Sequence, residues 1–276
     1  MKKRWLPVCR GCLRQLIASP RSWAVLIVTI LYIDGLMDPL HLMLKTEGLT
    51  ISVSGLMTYL LNDSAVTAFV ALGCLVLLFD VPCADELQRY LMLRTGRKSW
   101  AKGQIAYCIG VSAIYLLAFT IVAALYTLPY PDFSMDWSSG IRFMVDEGGF
   151  MLYDSFLEYD VWLPRAYSAL AAWGLQMALH LLMLVLLSLI LMNINLLIDR
   201  RIGFAVVTAP LFFDLMVQEY FRESVYILSP LTLCRLSGLD YGDQMGRPSL
   251  LAAFLALGLA SLAAGCLFVR GVKNMK

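Results

Sequence analysis

The sequence predicts an all-α integral membrane protein with six transmembrane helices, and three observations support this fold class. Apolar residues make up 60% of the 276 residues and charged residues only 15%, whereas about 25% of a soluble domain is charged. Apolar stretches close to the roughly 20 residues that cross a bilayer recur along the chain. Lys and Arg are concentrated in every second segment that connects these apolar stretches, which is typical of proteins that cross a membrane several times. Because no linker-like segment interrupts the chain, we expect one continuous bundle.

The N-terminal segment, residues 1–22, carries six basic residues and no acidic one. Apolar residues recur in it at helical spacing, while Arg10 and Arg14 fall on another face. This pattern predicts an amphipathic helix that lies at the inner membrane interface. A cleaved signal peptide is disfavoured, because no small-residue cleavage site follows the apolar run.

The transmembrane domain is predicted to occupy residues 23–276. Its six spans are expected at residues 23–40, 66–79, 105–128, 167–198, 203–221 and 250–269. Residues 51–65 have a composition that would allow the second helix to extend outward. With both termini inside, 16 of the 22 Lys and Arg residues are cytoplasmic, in segments 1–22, 80–104, 199–201 and 270–276. We therefore expect both termini in the cytoplasm.

The seven cysteines are scattered, and most fall in predicted spans or on the cytoplasmic side. A disulfide framework is therefore not expected. Cys9 and Cys12 have CxxC spacing, but no second pair or histidine cluster completes a zinc site, so no metal is predicted. No long basic run suits nucleic acid, which we exclude as a partner.

Polar residues inside the predicted spans are the first candidates for function. Asp214 lies in the fifth span with Gln218 one turn later, and Gln176 and His180 share a face of the fourth. A charge in hydrocarbon costs at least a few kcal/mol, so Asp214 is expected to face the bundle, a partner or water. One interpretation is that these residues serve a translocation path, either as substrate contacts or as parts of a gate. The alternative is that they make structural hydrogen bonds, and for Asp214 a protonated acid is a further option. We favour the structural interpretation.

The predicted outer loop, residues 129–164, is acidic and rich in aromatic residues. So many aromatic residues argue against disorder and predict short helices that cap the bundle or lie on the outer leaflet. The loop is either an acidic vestibule for cationic peptides or drugs, or a solvated cap, which we favour. Residues 224–249, before the last span, either dip back into the membrane or form an outer gate.

The predicted cytoplasmic loop, residues 80–104, has a distinctive composition. Pro82 ends the second span, residues 84–93 have the composition of a short helix with acids in its first turn, and Thr95 and Gly96 form a turn signal. The loop either fixes topology by its charge alone or presents a helix to a soluble partner. On charge alone, the first interpretation is favoured.

The loop also contains the pattern Tyr-Leu-x-Leu-Arg-Thr-Gly-Arg-x-x-Trp-x-x-Gly-Gln, from Tyr90 to Gln104, after Asp80 and Pro82. This run resembles the first cytoplasmic loop of bacterial ABC-transporter permease subunits of the second (type-2) exporter family. Ser229-Pro230 and residues 236–240 before the last span are similar to the same family. The resemblance extends to the topology, with six spans and an N-terminal interfacial helix.

The resemblance implies a permease subunit of an exporter in the bacterial cytoplasmic (inner) membrane, not an enzyme. ATP and Mg²⁺ would bind to a separate ABC ATPase subunit, and this chain would bind no cofactor; it has no GxxxxGK motif followed by Ser or Thr. A second permease copy, identical or a paralogue, would complete the dimer. The cargo would be an amphiphile, peptide, antibiotic or lipid. The implied coupling surface comprises Asp85, Glu86, Arg89, Tyr90, Arg94, Arg97 and Lys98, flanked by Arg10 and Arg14.

Two other classes of protein remain as alternatives. A polytopic membrane enzyme, such as a protease or a lipid-modifying enzyme, would need a converging catalytic set. His180 is predicted within a span and His41 outside the membrane, so the two histidines are not expected to share a site. A membrane immunity or binding protein without transport activity is the other alternative.

Overall fold

A computed structural model of the chain describes residues 5–83, 86–149, 153, 160–220, 229–240 and 246–274. The helices are α1 (Leu6–Ala18), α2 (Pro20–Glu47), α3 (Val53–Asn62), α4 (Ser64–Leu77), α5 (Glu86–Thr95), α6 (Arg97–Thr127), α7 (Ser139–Asp146), α8 (Leu163–Ala166), α9 (Ala169–Leu197), α10 (Arg200–Tyr220), α11 (Pro230–Leu233) and α12 (Leu250–Asn274). Two short strands, β1 (Ile51–Ser52) and β2 (Pro131–Asp132), and a 3₁₀ turn (Leu236–Gly238) complete the described elements.

The helix lengths confirm an all-α membrane protein. Helices α2, α6, α9 and α12 are each long and apolar enough to cross a bilayer. Helices α3 and α4 meet the same criterion only as a pair, and they are bent by 86°. The described residues thus contain four candidate spans, or up to five, and the six predicted spans are not confirmed. Helix α10, expected as the fifth span, is not among the candidates; it begins with Arg200 and Arg201 and carries Asp214.

Helix α2 is longer than predicted, because its end signals lie outside the apolar run. At its start, the Ser19 hydroxyl accepts a hydrogen bond from the Arg21 backbone N–H, and Pro20 occupies the first turn. At its end, Gly48 adopts the left-handed conformation with φ of 66°. Near the middle of α2, the Asp34 carboxylate accepts a hydrogen bond from the Tyr126 hydroxyl at 2.9 Å, which ties α2 to α6.

The break between α3 and α4 replaces the continuous second helix that the sequence suggested. Asp63 is the N-cap of α4, and its carboxylate accepts a hydrogen bond from the Val66 N–H at 2.9 Å. Asp followed by Ser is a strong helix-start signal, so the chain begins a new helix here and does not continue α3. The residue before the break, Asn62, is buried.

Helix α9 lies at the centre of the bundle. It packs against α3, α4, α6, α10 and α12. Within the most apolar part of each helix, 61% of the residues of α9 are buried, compared with 22% in both α2 and α12. Large apolar side chains on α2, α6 and α12, including Leu31, Leu117 and Leu262, are exposed. These outer helices therefore present the apolar surface that a lipid bilayer would cover.

Helix α1 packs tightly on the first turns of α6. Val8, Cys9 and Cys12 are buried, and Arg10 and Arg14 are exposed. Burial raises the pKa of the Cys9 thiol. The two cysteines of the CxxC motif thus serve packing; all seven cysteines are free, and no cluster of three metal-ligating side chains occurs among the described residues.

The described part of the loop at residues 129–164 folds over α3 as a cap. Trp137 is buried, stacks edge-on against Tyr59 with ring centroids 5.8 Å apart, and donates its indole N–H to the Tyr167 carbonyl at 2.8 Å. The short helices α7 and α8 lie in this loop. Strand β1 pairs in parallel with β2, a contact that the all-α prediction did not include. In the part of the loop that the structure describes, Trp137 is the buried aromatic residue, whereas Phe133 is 89% exposed.

The α1–α6 contact can be tested at Gly103, where a Cβ atom would lie 2.7 Å from the Val8 Cβ and 2.9 Å from the Trp5 carbonyl oxygen. We expect Gly103→Ala to destabilise the protein by about 1–3 kcal/mol, because the added carbon overpacks the contact. Gly110→Ala, on the same helix with nothing within 4 Å, is the matched control and is expected to be neutral or stabilising. Thermal unfolding in detergent measures both; equal midpoints would contradict the packing.

Candidate functional site

The segment between α10 and α12 includes residues 229–240, which lie inside the helix bundle. Its helix α11 contacts α4, α9, α10 and α12. The Ser229 hydroxyl caps α11 by accepting a hydrogen bond from the Thr232 N–H, and Pro230 occupies the first turn. Residues on both sides of this short helix are buried. The described residues of this segment thus pack among four helices, whereas the dip into the membrane and the outer gate both stay predictions.

A fully buried ion pair joins this segment to α10. The Arg235 guanidinium donates to the Asp214 carboxylate at 2.9 Å, and both side chains are 0% exposed. The hydroxyls of Ser229 and Thr232 donate to the other carboxylate oxygen, the latter at 2.6 Å. A buried charge of this kind requires a partner and further hydrogen bonds, and Asp214 has both.

Arg235 is the principal residue that the sequence analysis misplaced. Arg235 is one of the six Lys and Arg residues that the predicted topology places outside the cytoplasm, whereas the structure buries its side chain completely. The available signal was a single Arg within the run Leu-Thr-Leu-Cys-Arg-Leu-Ser-Gly-Leu, which is otherwise mostly apolar. Asp214 is therefore one half of an ion pair, a partnership that the sequence analysis did not predict. The side chain of Gln218 lies outside the described residues.

Gln176 connects two places where helical structure is broken, the junction of α3 with α4 and the segment at residues 229–240. Its amide nitrogen donates to the Leu61 carbonyl at 2.8 Å, at the end of α3, and its amide oxygen accepts from the Leu236 N–H at 3.1 Å. Asn62 makes a similar contact, accepting from the Ser237 N–H at 2.9 Å. These backbone groups lose their helical partners at the breaks, and a buried polar group without a partner costs about 1–3 kcal/mol. The contacts support the structural interpretation of Gln176.

His180 lies one turn along α9 from Gln176, on the same face as predicted. Its Nδ1 is 3.0 Å from the Gln176 carbonyl, and its Nε2 is 3.3 Å from the Thr67 hydroxyl and 3.6 Å from the Cys234 sulfur. His180 and Cys234 are both fully buried, which closes this thiol–imidazole pair to a substrate. His41 contacts the Tyr126 carbonyl instead, at 2.8 Å. The geometry thus makes His180 part of the packing between α4, α9 and α11.

The second candidate site is an exposed surface on α5 and the start of α6, which we call the α5 surface. Its described side chains are Tyr90, Leu93, Arg94, Arg97 and Lys98, and all are exposed. Asp85 lies outside the described residues, and so do the side chains of Glu86 and Arg89. The structure therefore brings the four predicted residues Tyr90, Arg94, Arg97 and Lys98 to one connected stretch of surface.

The α5 surface is anchored at one end of the bundle. Gly96, with φ of 86°, makes the sharp turn between α5 and α6, a conformation that favours glycine. Gln88 is buried, and its amide lies close to Gly11 of α1. Arg97 donates to the Lys273 carbonyl at 3.3 Å, near the end of α12. Helix α1, with exposed Arg10 and Arg14, contacts α5 and so adjoins this surface.

No protein-family model, no curated protein and no solved structure matches this chain. The function of the protein therefore has to be inferred from its own residues and their arrangement.

The buried ion pair predicts an asymmetric response to mutation. Arg235→Met leaves the Asp214 charge unpaired and is expected to destabilise the protein by about 3–5 kcal/mol. The double variant Asp214→Leu/Arg235→Met removes both charges and is expected to recover most of that loss. Asp136→Ala, which breaks the exposed Arg142–Asp136 pair at 3.0 Å, serves as the control with an expected change of about 0–1 kcal/mol. Unfolding in detergent measures the cycle; a double variant no more stable than Arg235→Met would refute the pairing.

Proposed function

We propose that this chain is the transmembrane permease subunit of an ATP-driven exporter and that it works with a separate ABC ATPase subunit. The observation that carries the proposal is the α5 surface, a short helix between two longer hydrophobic elements whose side chains project into solvent. ATP and Mg²⁺ would bind to the ATPase, and this chain would supply the membrane path and the docking helix.

The composition of the α5 surface suits a protein partner. Leu93 is 83% exposed and Tyr90 is 58% exposed, and three cations lie beside them. Exposed large apolar side chains next to polar groups are typical of interaction sites, and Tyr and Arg are enriched at protein interfaces. An ATPase surface with a shallow apolar groove and acidic residues on its rim would complement this helix.

The connection of α5 to the bundle provides a route for movement. Helix α6, of 31 residues, begins immediately after the turn at Gly96. Helix α1 touches both α5 and α6. A displacement of α5 by nucleotide-driven closure of the ATPase would therefore reach α6 and α1 directly, as a rigid-body shift of packed helices.

The proposed topology has six membrane-crossing segments with both termini in the cytoplasm of a bacterium. The bent pair α3–α4 and helix α10 would supply the two segments beyond the four long apolar helices. Helix α10 could cross the membrane although it carries Asp214, because the carboxylate is paired with Arg235. An unpaired carboxylate would be costly in hydrocarbon. The α5 surface and α1, both basic, lie at one end of the bundle, as the positive-inside rule expects of a cytoplasmic side. A second permease, identical or paralogous, would complete the assembly.

The cargo is proposed to be an amphiphile, a peptide, an antibiotic or a lipid. Gln176, His180 and Asp214 are engaged in internal contacts. We therefore assign these three residues to holding the broken segments in place and not to contacting cargo.

Charge reversal on the α5 surface tests the proposal. The tagged full-length chain, purified from its native host in mild detergent, is expected to retain a P-loop ATPase, detected by mass spectrometry and by ATP hydrolysis in the eluate. Arg94→Glu/Arg97→Glu is expected to reduce the retained ATPase at least tenfold and to abolish export, because a complementary acidic rim would repel the new charges, whereas the yield of the chain itself stays unchanged.

The control is Lys45→Glu/Arg165→Glu, which makes the same change in charge on exposed residues away from α5. It is expected to retain the ATPase in full. Retention of the ATPase by the Arg94/Arg97 variant would refute the docking surface, and a wild-type preparation without any ATPase would refute the proposed function itself.

A further inference from the structure

A cavity of about 460 Å³ lies where α1 meets the ends of α4 and α6 and the start of α10. Its volume falls within the roughly 300–1,000 Å³ of small-molecule sites. Three charged side chains line it: Arg21, Asp80 and Arg200. They come from three separate parts of the chain, and all three are partly exposed. The cavity is therefore open to a ligand and has charged groups in its wall.

The charged groups in the cavity are unequal in number. Arg21 is 2.8 Å from one oxygen of Asp80, and Arg200 is 3.2 Å from the other. The Arg21 guanidinium also lies over the Phe79 ring at 5.5 Å, which fixes its position. Two guanidiniums and one carboxylate leave a charge of about +1, and each guanidinium has five N–H donors, of which Asp80 uses only part. Such a pair of forks matches the geometry of a phosphate.

An apolar groove of about 200 Å³ adjoins this cavity. Leu16 of α1 and Leu77 of α4 line both compartments. The groove continues between α2 and α6, and two of its lining residues, Ile17 and Ile114, are 67% and 58% exposed on the outside of the bundle. A polar compartment with excess positive charge thus shares a wall with an apolar one on the surface that lipid would cover.

We propose that these two compartments bind an anionic phospholipid, with its phosphate on the N–H donors of Arg21 and Arg200 that Asp80 does not use and an acyl chain in the groove between α2 and α6. Helix α1 forms a wall of both compartments, and its amphipathic character places it at the level of lipid headgroups. Basic pockets between helices at a cytoplasmic interface are suited to anionic headgroups. A soluble anion would have no use for the groove, and a neutral lipid would gain little from the excess charge. This inference does not depend on the proposed function.

Lipid binding to the purified full-length chain in non-ionic detergent tests the site, with native mass spectrometry as the readout. Dioctanoyl phosphatidylglycerol is the probe, and dioctanoyl phosphatidylcholine, dibutyryl phosphatidylglycerol and inorganic phosphate are the comparisons. We expect the first to bind at least tenfold more tightly than the other lipids, and inorganic phosphate not to displace it. Inorganic phosphate that competes as well as the lipid would overturn the proposal in favour of a simple anion site.

Variants of the charged wall separate a ligand site from a structural ion pair. Arg200→Gln is expected to weaken binding of phosphatidylglycerol about tenfold, since it removes one phosphate fork. Asp80→Asn is expected to tighten binding, because it releases both guanidiniums to the phosphate. Arg14→Gln removes the same charge from an exposed position on α1 outside the cavity and is expected to have no effect. Weaker binding by Asp80→Asn, or equal losses in Arg14→Gln and Arg200→Gln, would overturn the site.

A variant in the groove tests the position of the acyl chain. Ala118 of α6 lines the groove, whereas the half-buried Ala113 of the same helix does not. Ala118→Leu is expected to weaken binding of the dioctanoyl lipid severalfold and to leave binding of the dibutyryl lipid unchanged, while Ala113→Leu changes neither. A groove variant that binds the dioctanoyl lipid like the wild type would place the chain elsewhere and refute the groove assignment.

Discussion

The constraint on which this fold depends is that backbone polar groups inside a membrane bundle must find partners within the protein, because hydrocarbon offers none. An unbroken helix meets the constraint by itself. Among the described residues, the chain breaks in its interior at Asn62–Asp63 and across residues 229–240, so it needs side chains to replace the missing backbone partners. Gln176 and Asn62 provide these partners through hydrogen bonds of 2.8–3.1 Å to the Leu61 carbonyl and to backbone N–H groups of residues 236 and 237. The central position of α9 brings Gln176 within reach of both breaks.

The buried ion pair has a different role from the hydrogen bonds around Gln176. Asp214 and Arg235 are both 0% exposed, so each charge has lost its hydration and depends on the other. Such a pair adds little net stability compared with apolar residues, but it penalises any arrangement that separates its members. It therefore fixes the register of residues 229–240 against α10, and it does so in a segment with few regular backbone contacts of its own.

The end of the molecule that contains α1 and α5 combines the two features proposed here to interact with other molecules. The α5 surface is exposed, and the proposed phospholipid cavity is lined by α1 together with Arg21 at the start of α2 and Arg200 at the start of α10. Because α1 contacts α5 and α6 as well as lining the cavity, a lipid headgroup held by Arg21 and Arg200 would stiffen the support beneath the docking helix. Docking and lipid binding would then be coupled through one helix, without any need for a longer pathway.

The sequence by itself determined that the chain is apolar enough for a membrane protein, where its long helices lie and that an amphipathic helix stands at its start. Hydrophobicity summed over 20 residues is a local property, and so are cap signals such as Ser19-Pro20 and Asp63-Ser64, although the bend at the second of these was missed. Only the tertiary structure decided that Arg235 meets Asp214, that Gln176 joins two breaks and that Arg21 and Arg200 share Asp80. Those partners are separated by 21 to 120 positions along the chain, and no periodicity relates residues at such distances. Their pairing depends on how helices pack, and a buried charge is recognisable as paired only when its partner's position in space is known.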